Sequence, residues 1–449
     1  MLFRGLIFTS LLLYFISLAA TQTVYGNGFS SLRWVALIAF SVFSALSFLS
    51  NSTRLPIKRV ATHVTVYVAL WSATVIFGVY PLFSSYRFIA HSLIVVSSLI
   101  FLPQAITLSN APRLVLTLKL LVAFTLILSY LRPAPITVFD TAYAVRGIFG
   151  NANSFGHMCA VGSLVFLHGY ITSKRSFSKY IQLTLMMLAT VLMFQSGARS
   201  SALALLAGFL TMTLCYRKQF SRNLLAVWCA GCVLLATVAT IQSQIDSFIN
   251  KHSQFAHISN PIDRLSASRL PILEASWNGF IDRPIFGWGF GVDSNTNLTS
   301  WNGEFTSLGF TKRDPVNDLT YTLETGGIAG AGAYFFLISL IPSLFASRSQ
   351  VLQVLSNLNS SEFAIAGAAL NAQHLLLSLT VLLSVMFELD GTALSAGSLF
   401  AALFWVSFGT CIALTYLLLD DLPQKVAWAL DTYYTHSAAY GRELESPGN

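Results

Sequence analysis

Apolar residues in this chain gather into uninterrupted runs of about 20, the length that crosses a hydrocarbon layer as a helix. They follow neither the two-residue alternation of a half-buried strand nor the one-sided stripe of a surface helix. Lipid offers the backbone no hydrogen-bond partner, so such runs must close their own bonds as helices. The pattern predicts about twelve spans, near 5–21, 33–50, 64–83, 87–108, 113–131, 154–173, 178–195, 199–216, 223–242, 326–347, 364–387 and 396–419. The first run also fits a signal peptide, because Arg4 precedes a short apolar stretch ending in Leu-Ala-Ala-Thr. Both readings leave the next loop outside.

One stretch departs from this pattern. Residues 243–325 are polar, mix acids with bases and contain no spanning run. Helical stretches are expected there around Ser266–Phe280 and Leu319–Thr325, with a Gly- and Asn-rich turn region from Gly287 to Gly303. Trp277, Trp288, Phe290 and Trp301 suggest an ordered, membrane-facing cap. The expected fold class is an all-α membrane protein of about 12 transmembrane helices, with its large external loop between helices nine and ten. Its parts are residues 1–242 (spans one to nine), 243–325 (the loop), 326–419 (spans ten to twelve) and 420–449 (a cytoplasmic tail).

Composition agrees with the pattern. Charged residues are 10% of the chain and hydrophobic ones 55%, whereas a soluble domain carries about a quarter charged residues. The formal charge of +8 does not indicate nucleic acid, because most of it lies in loops on one side. Arg54, Lys58 and Arg59, then Lys174, Arg175 and Lys179, then Arg217, Lys218 and Arg222, and finally Arg348 fall in alternate loops. That side is expected to be cytoplasmic by the positive-inside rule. The five cysteines carry no disulfide argument, and the Cys229–Cys232 pair lies inside an apolar run.

Arginines on the other side run against the rule, and four sequence elements there could carry chemistry. Arg146 to Gly156 leads into span six, and Ser196-Gly-Ala-Arg199-Ser-Ser opens span eight. Asp263-Arg264 and Arg269 precede Trp277 and the stretch Asp282-Arg283-Pro-Ile-Phe-Gly-Trp-Gly-Phe-Gly. Asn317-Asp318 is followed by Glu324-Thr-Gly-Gly-Ile-Ala-Gly at the start of span ten. An arginine at a helix start opposes the macrodipole, and an anionic ligand would compensate it. Guanidinium groups grip phosphate oxygens through paired donors. Arg146, Arg199, Arg264 and Arg269 at a lipid boundary therefore point to a lipid-linked phosphate or pyrophosphate. Asp318 and Glu324 are candidate acceptors of a proton from a sugar hydroxyl.

Plainer explanations apply to other positions. Arg87 and Arg132 are read as arginines that snorkel to lipid headgroups. Asp318 and Glu324, six apart, diverge by most of a turn on a continuous helix, and each could instead pair with a loop arginine. Gly287, Gly289 and Gly291 read as a turn, since no strand precedes them as a phosphate cradle requires. His157, His168 and His374 read as packed or polar-contact histidines.

In this order the four elements resemble the O-antigen ligase and polymerase family of bacterial envelope glycosyltransferases, over roughly residues 140 to 345. Ser196-Gly-Ala-Arg199 is similar to that family's span-opening stretch, and Arg269 through Pro284-Ile-Phe-Gly-Trp-Gly to its arginine helix and turn. Asn317, Glu324, Gly327 and Gly330 resemble its last motif. In the ligases a histidine precedes that asparagine. Here the position is Val316, or Pro315 in the other register, which favours the polymerase-like members.

The resemblance implies attack at an anomeric carbon in the bacterial inner membrane, on the periplasmic face. The donor would be an undecaprenyl-pyrophosphate-linked glycan and the acceptor a sugar or lipid-linked hydroxyl. Membrane lipids, a chain-length regulator and a flippase would be partners, with no nucleic acid. No metal and no cofactor are implied. Arg199 and Arg269 would stabilise the departing pyrophosphate, assisted by Arg146 and Arg264, with Asp318 or Glu324 as base or organiser. The alternative from another class is a secondary transporter of a small anion such as bicarbonate. A transporter calls for ionisable residues at mid-span and broken helices, and Lys119 stands nearly alone there.

Overall fold

Each apolar run described in the computed structural model is helical, as a backbone without outside partners requires. The structure describes residues 2–21, 23, 29–50, 58–131, 146–149, 151–216, 270–295, 318–347, 351, 360–390 and 398–421. The helices are α1 (Leu2–Thr21), α2 (Ser30–Ser50), α3 (Lys58–Phe77), α4 (Pro81–Val96), α5 (Ala111–Leu131), α6 (Ala152–Thr172) and α7 (Ser176–Gln195). They continue with α8 (Arg199–Cys215), α9 (Leu270–Asp282), α10 (Asp318–Ile338), α11 (Leu340–Ala346), α12 (Ser360–Asp390) and α13 (Leu399–Tyr416). Among the described residues there is no strand beyond a single bridge between Thr23 and Phe149.

Nine helical stretches among the described residues are long and apolar enough to cross a membrane, and shorter apolar helices stand at Gly5–Thr21 and Arg199–Cys215. These account for the expected spans except 223–242, which lies outside the described residues. Two boundaries moved. α3 and α4 begin about six residues before the spans placed at 64–83 and 87–108. Hydropathy cannot see the Gly78–Tyr80 turn, which lies between apolar neighbours, and Pro81 opens α4 at its first turn. The tenth span, expected from 326, follows the helical stretch expected just before it directly, across a non-helical Gly327.

Contacts fix the directions. α6 runs antiparallel to α7, with Ser163 Oγ 3.1 Å from Thr190 Oγ1, and parallel to α8, with Gly208 facing Leu164. α12 is antiparallel to α8, where Tyr216 donates to Asn371 Oδ1 at 3.1 Å. His168 Nε2 lies 2.9 Å from the Asn371 carbonyl, so Asn371 joins α6, α8 and α12. α13 is parallel to α4, and Gly409 packs directly on the Ser98 backbone, where α4 widens into a π turn at Ser97–Phe101. α6 and α13 are the most enclosed of the spans.

One end of the bundle, here the upper end, therefore holds the starts of α4, α6, α8, α10 and α13 and the finish of α3. Lys58, Arg59, Arg113, Lys174, Arg175 and Lys179 stand at the other end.

Candidate functional site

The upper end presents two groups of side chains. The first forms where α6 and α8 begin. Asn151 caps α6 by accepting the Asn153 amide at 2.8 Å, which satisfies an amide the helix itself cannot. Ser196 closes the turn between α7 and α8, donating to the Met193 carbonyl at 2.6 Å and accepting the Ala198 amide at 3.3 Å. Gly156 lets the two starts meet, since any side chain there would run into Ser196 and Ala198. One residue on, His157 Nε2 lies 3.2 Å from Ser200 Oγ, and its ring meets Phe400 edge-on at 5.3 Å. Arg199 is the first residue of α8.

The Arg146 segment sits alongside. The Phe149 amide donates to the Arg146 carbonyl at 3.0 Å, and Gly147 packs against Ser129 and Phe155. Arg146 and Arg199 are both half-buried. Two helix N-termini, each with a positive dipole end, thus converge in a region that also holds two arginines. Such a place favours an anion.

The second group forms around a break in α10. Gly327 has φ 61° and ψ −159°, a region open essentially to glycine alone. The break strands the carbonyls above it and the amides below it, and in a membrane each such group needs a partner. The turn after α9 supplies all four. Trp288 and Gly289 amides donate to the Glu324 and Thr325 carbonyls at 3.0 and 2.8 Å. In return the Ile328 and Ala329 amides donate to the Pro284 and Ile285 carbonyls at 2.8 and 3.1 Å. Gly287 also has positive φ, 65°, and a side chain there would collide with the Thr325–Gly326 peptide.

This turn carries Ser294 to Glu324. The buried carboxylate accepts from the Ser294 amide at 2.9 Å and its hydroxyl at 2.6 Å through Oε1. Gly279 of α9 faces the same oxygen, and its carbonyl accepts the Trp288 indole N–H at 2.8 Å.

α4 holds the turn from the other side. Phe83, Arg87 and His91 follow at four-residue intervals and share a face. The Arg87 guanidinium lies 4.4 Å from the Phe83 ring and donates to the Gly291 carbonyl at 2.6 Å, with Asp293 in electrostatic reach. The His91 ring lies 5.2 Å from that of Phe290, and its Nε2 is 2.7 Å from the Tyr67 hydroxyl. Phe290 also meets Trp71 edge-on at 4.9 Å. The Trp71 ring lies against Gly326 and Gly330, where a side chain would intrude on it. Asp318 is fully buried at the start of α10, close enough to act electrostatically on Tyr67.

Several expectations are corrected here. Arg87, read as reaching for lipid headgroups, is instead bonded to the backbone of the turn, because α4 starts earlier and carries it inward. Of the four aromatics expected to form a membrane-facing cap, Phe290 is buried and Trp288 half-buried, both turned toward the protein, Trp277 is half exposed, and Trp301 lies outside the described residues. The glycine run is a turn, as expected. Arg146 and Arg199 fall in the first group, and Asp318, Glu324, Gly327 and Gly330 in the second. Arg264, Arg269 and Asn317 lie outside the described residues. Sequence reading missed Arg87 and Ser294, although the spacing of Phe83, Arg87 and His91 was a usable signal for the first.

Residues 183–335 match the family model described as O-antigen ligase. That segment is similar to the O-antigen ligase family. Its match takes in the Ser196–Arg199 turn, α9, the glycine turn and the break of α10. The α6 start and the α3–α4 face lie outside the matched segment, yet they complete both groups. No curated protein matches the chain.

Proposed function

We propose that the chain is a membrane glycosyltransferase that polymerises, rather than ligates to a lipid A core, an undecaprenyl-pyrophosphate-linked oligosaccharide on the periplasmic side. The observation that carries this is the O-antigen ligase match over residues 183–335, which contains both Arg199 and Glu324. The convergence of two helix N-termini near Arg146 and Arg199 supports a diphosphate site, where positive dipole ends and guanidinium donors would stabilise the departing pyrophosphate. Arg264 and Arg269 would complete it. Glu324 or Asp318 would take the proton of the attacking hydroxyl, and the hydroxyl oxygen would displace the pyrophosphate at the anomeric carbon. Basic residues at the lower end agree with a cytoplasmic lower face. Val316 or Pro315 at the ligase histidine position favours the polymerase.

The small-anion transporter reading draws nothing from the family match, and the break in α10 is sealed by the turn's backbone instead of opening at mid-span. Gene deletion followed by gel analysis of surface glycan tests the proposal. Glycan limited to single repeat units is the expected result. Loss of every capped lipid A core would indicate a ligase, and an unchanged ladder would end the proposal.

A further inference from the structure

Helix α9 has two unlike exposed stripes. Leu270, Trp277 and Ile281 fall within roughly 40° of arc at about 100° per residue, and are 55%, 50% and 57% exposed. Glu274, Asn278 and Asp282, at four-residue intervals, form the adjoining polar stripe and are also exposed. The inner face is different again: Ser276 and Gly279 are buried, Gly279 lying against the Glu324 carboxylate.

The apolar stripe does not end with the helix. Ile285, 62% exposed, follows it on the turn, and its neighbour Phe286 stacks on Phe77 at 4.7 Å. Pro284 and Ile285 are hydrogen-bonded to Ile328 and Ala329 of α10. Phe77, Ile76 and Ile328 are themselves exposed apolar residues on spanning helices. The stripe is therefore continuous with the lipid-facing surface of α3 and α10.

We infer that α9 lies in the plane of the membrane interface at the upper end, with Leu270, Trp277, Ile281 and Ile285 in the acyl boundary. Glu274, Asn278 and Asp282 face the headgroups and water. A short helix with one apolar and one polar stripe, and a tryptophan in the apolar one, suits that depth. α9 is then a wall one helix thick, with lipid on one side and Glu324 on the other. The carboxylate is held at headgroup depth, where a lipid-borne substrate presents its polar end. The placement of the helix does not depend on the proposed function.

The test is a set of single substitutions in the full-length protein in lipid nanodiscs, where both faces are open to reagents. Asn278→Cys and Asp282→Cys should react readily with a membrane-impermeant maleimide. Trp277→Cys and Ile281→Cys should react at least about tenfold more slowly, as an apolar face buried in the acyl boundary would. A fluorophore placed on those two under denaturing-free, permeant labelling should be quenched by doxyl groups near the top of the acyl chain. Equal reactivity at all four positions would overturn the inference. Slow labelling without lipid quenching would also overturn it, and would mean that protein, such as a second copy, covers the stripe. Labelling at Asn278→Cys in the same series reports that the helix is accessible, and an unchanged size-exclusion profile of each variant that the protein is folded.

Discussion

Ser294 gives both its amide and its hydroxyl to one carboxylate oxygen of Glu324, at 2.9 and 2.6 Å. A residue on the turn thereby sets the position of a buried acid on a membrane helix. Hydrogen bonds to a charged acceptor are worth about 1.5–3 kcal/mol. Ser294→Ala removes one of the two and should lower activity several-fold while the protein remains inserted. Glu324→Gln keeps the shape and tests the charge; if Glu324 takes the proton, glycan polymer should be lost with little change in detergent melting temperature.

Gly327→Ala should be among the most damaging single changes. A side chain meets the Ile285 backbone, and the strained positive-φ backbone adds about 1–3 kcal/mol. Folded yield in mild detergent, measured by size-exclusion chromatography, is expected to fall sharply. A normal yield would mean that the break is not required.

Arg87 is expected to act by holding the turn. Arg87→Ala should lower the melting temperature and the activity together. Arg87→Lys keeps the charge without the planar fork and should recover only part of both. Activity lost with no change in melting would argue that Arg87 touches substrate.

Arg199→Ala should leave the protein inserted and folded but abolish polymer, read as glycan length on gels. The same outcome is expected for Arg269→Ala. Normal glycan from both would remove the diphosphate assignment.

Gly156→Val separates the α6 and α8 starts, since Ser196 and Ala198 occupy the space a side chain needs. Loss of polymer is expected, and a second substitution far away, such as Gly5→Ala, where nothing lies within 4 Å, should be silent.

Most of the helices were legible because hydrocarbon imposes a length and a composition that no other environment does. Helix ends were less so. Nothing in hydropathy separates the Gly78–Tyr80 turn from the apolar residues on each side, and that uncertainty of nearly two helical turns decided whether Arg87 was placed at the helix end or deeper against the glycine turn. Arg146 and Arg199 could be picked out because charge at the upper end runs against expectation. Ser294 could not be, since a serine in a polar loop carries no signal until the fold brings Glu324 within reach. Gly327 was visible as part of a motif, but its role as the break in α10 required the backbone.

The exchange of hydrogen bonds between the glycine turn and α10 also constrains biosynthesis. Residues 284–289 leave the ribosome well before 324–329, so the capping groups are made first and must wait for the groups they cap. When α10 enters the bilayer, its interrupted backbone has no relief until the earlier segment folds back onto it. Insertion of this helix and docking of the turn are therefore one event, and a chain stalled between them would expose bare peptide groups to lipid.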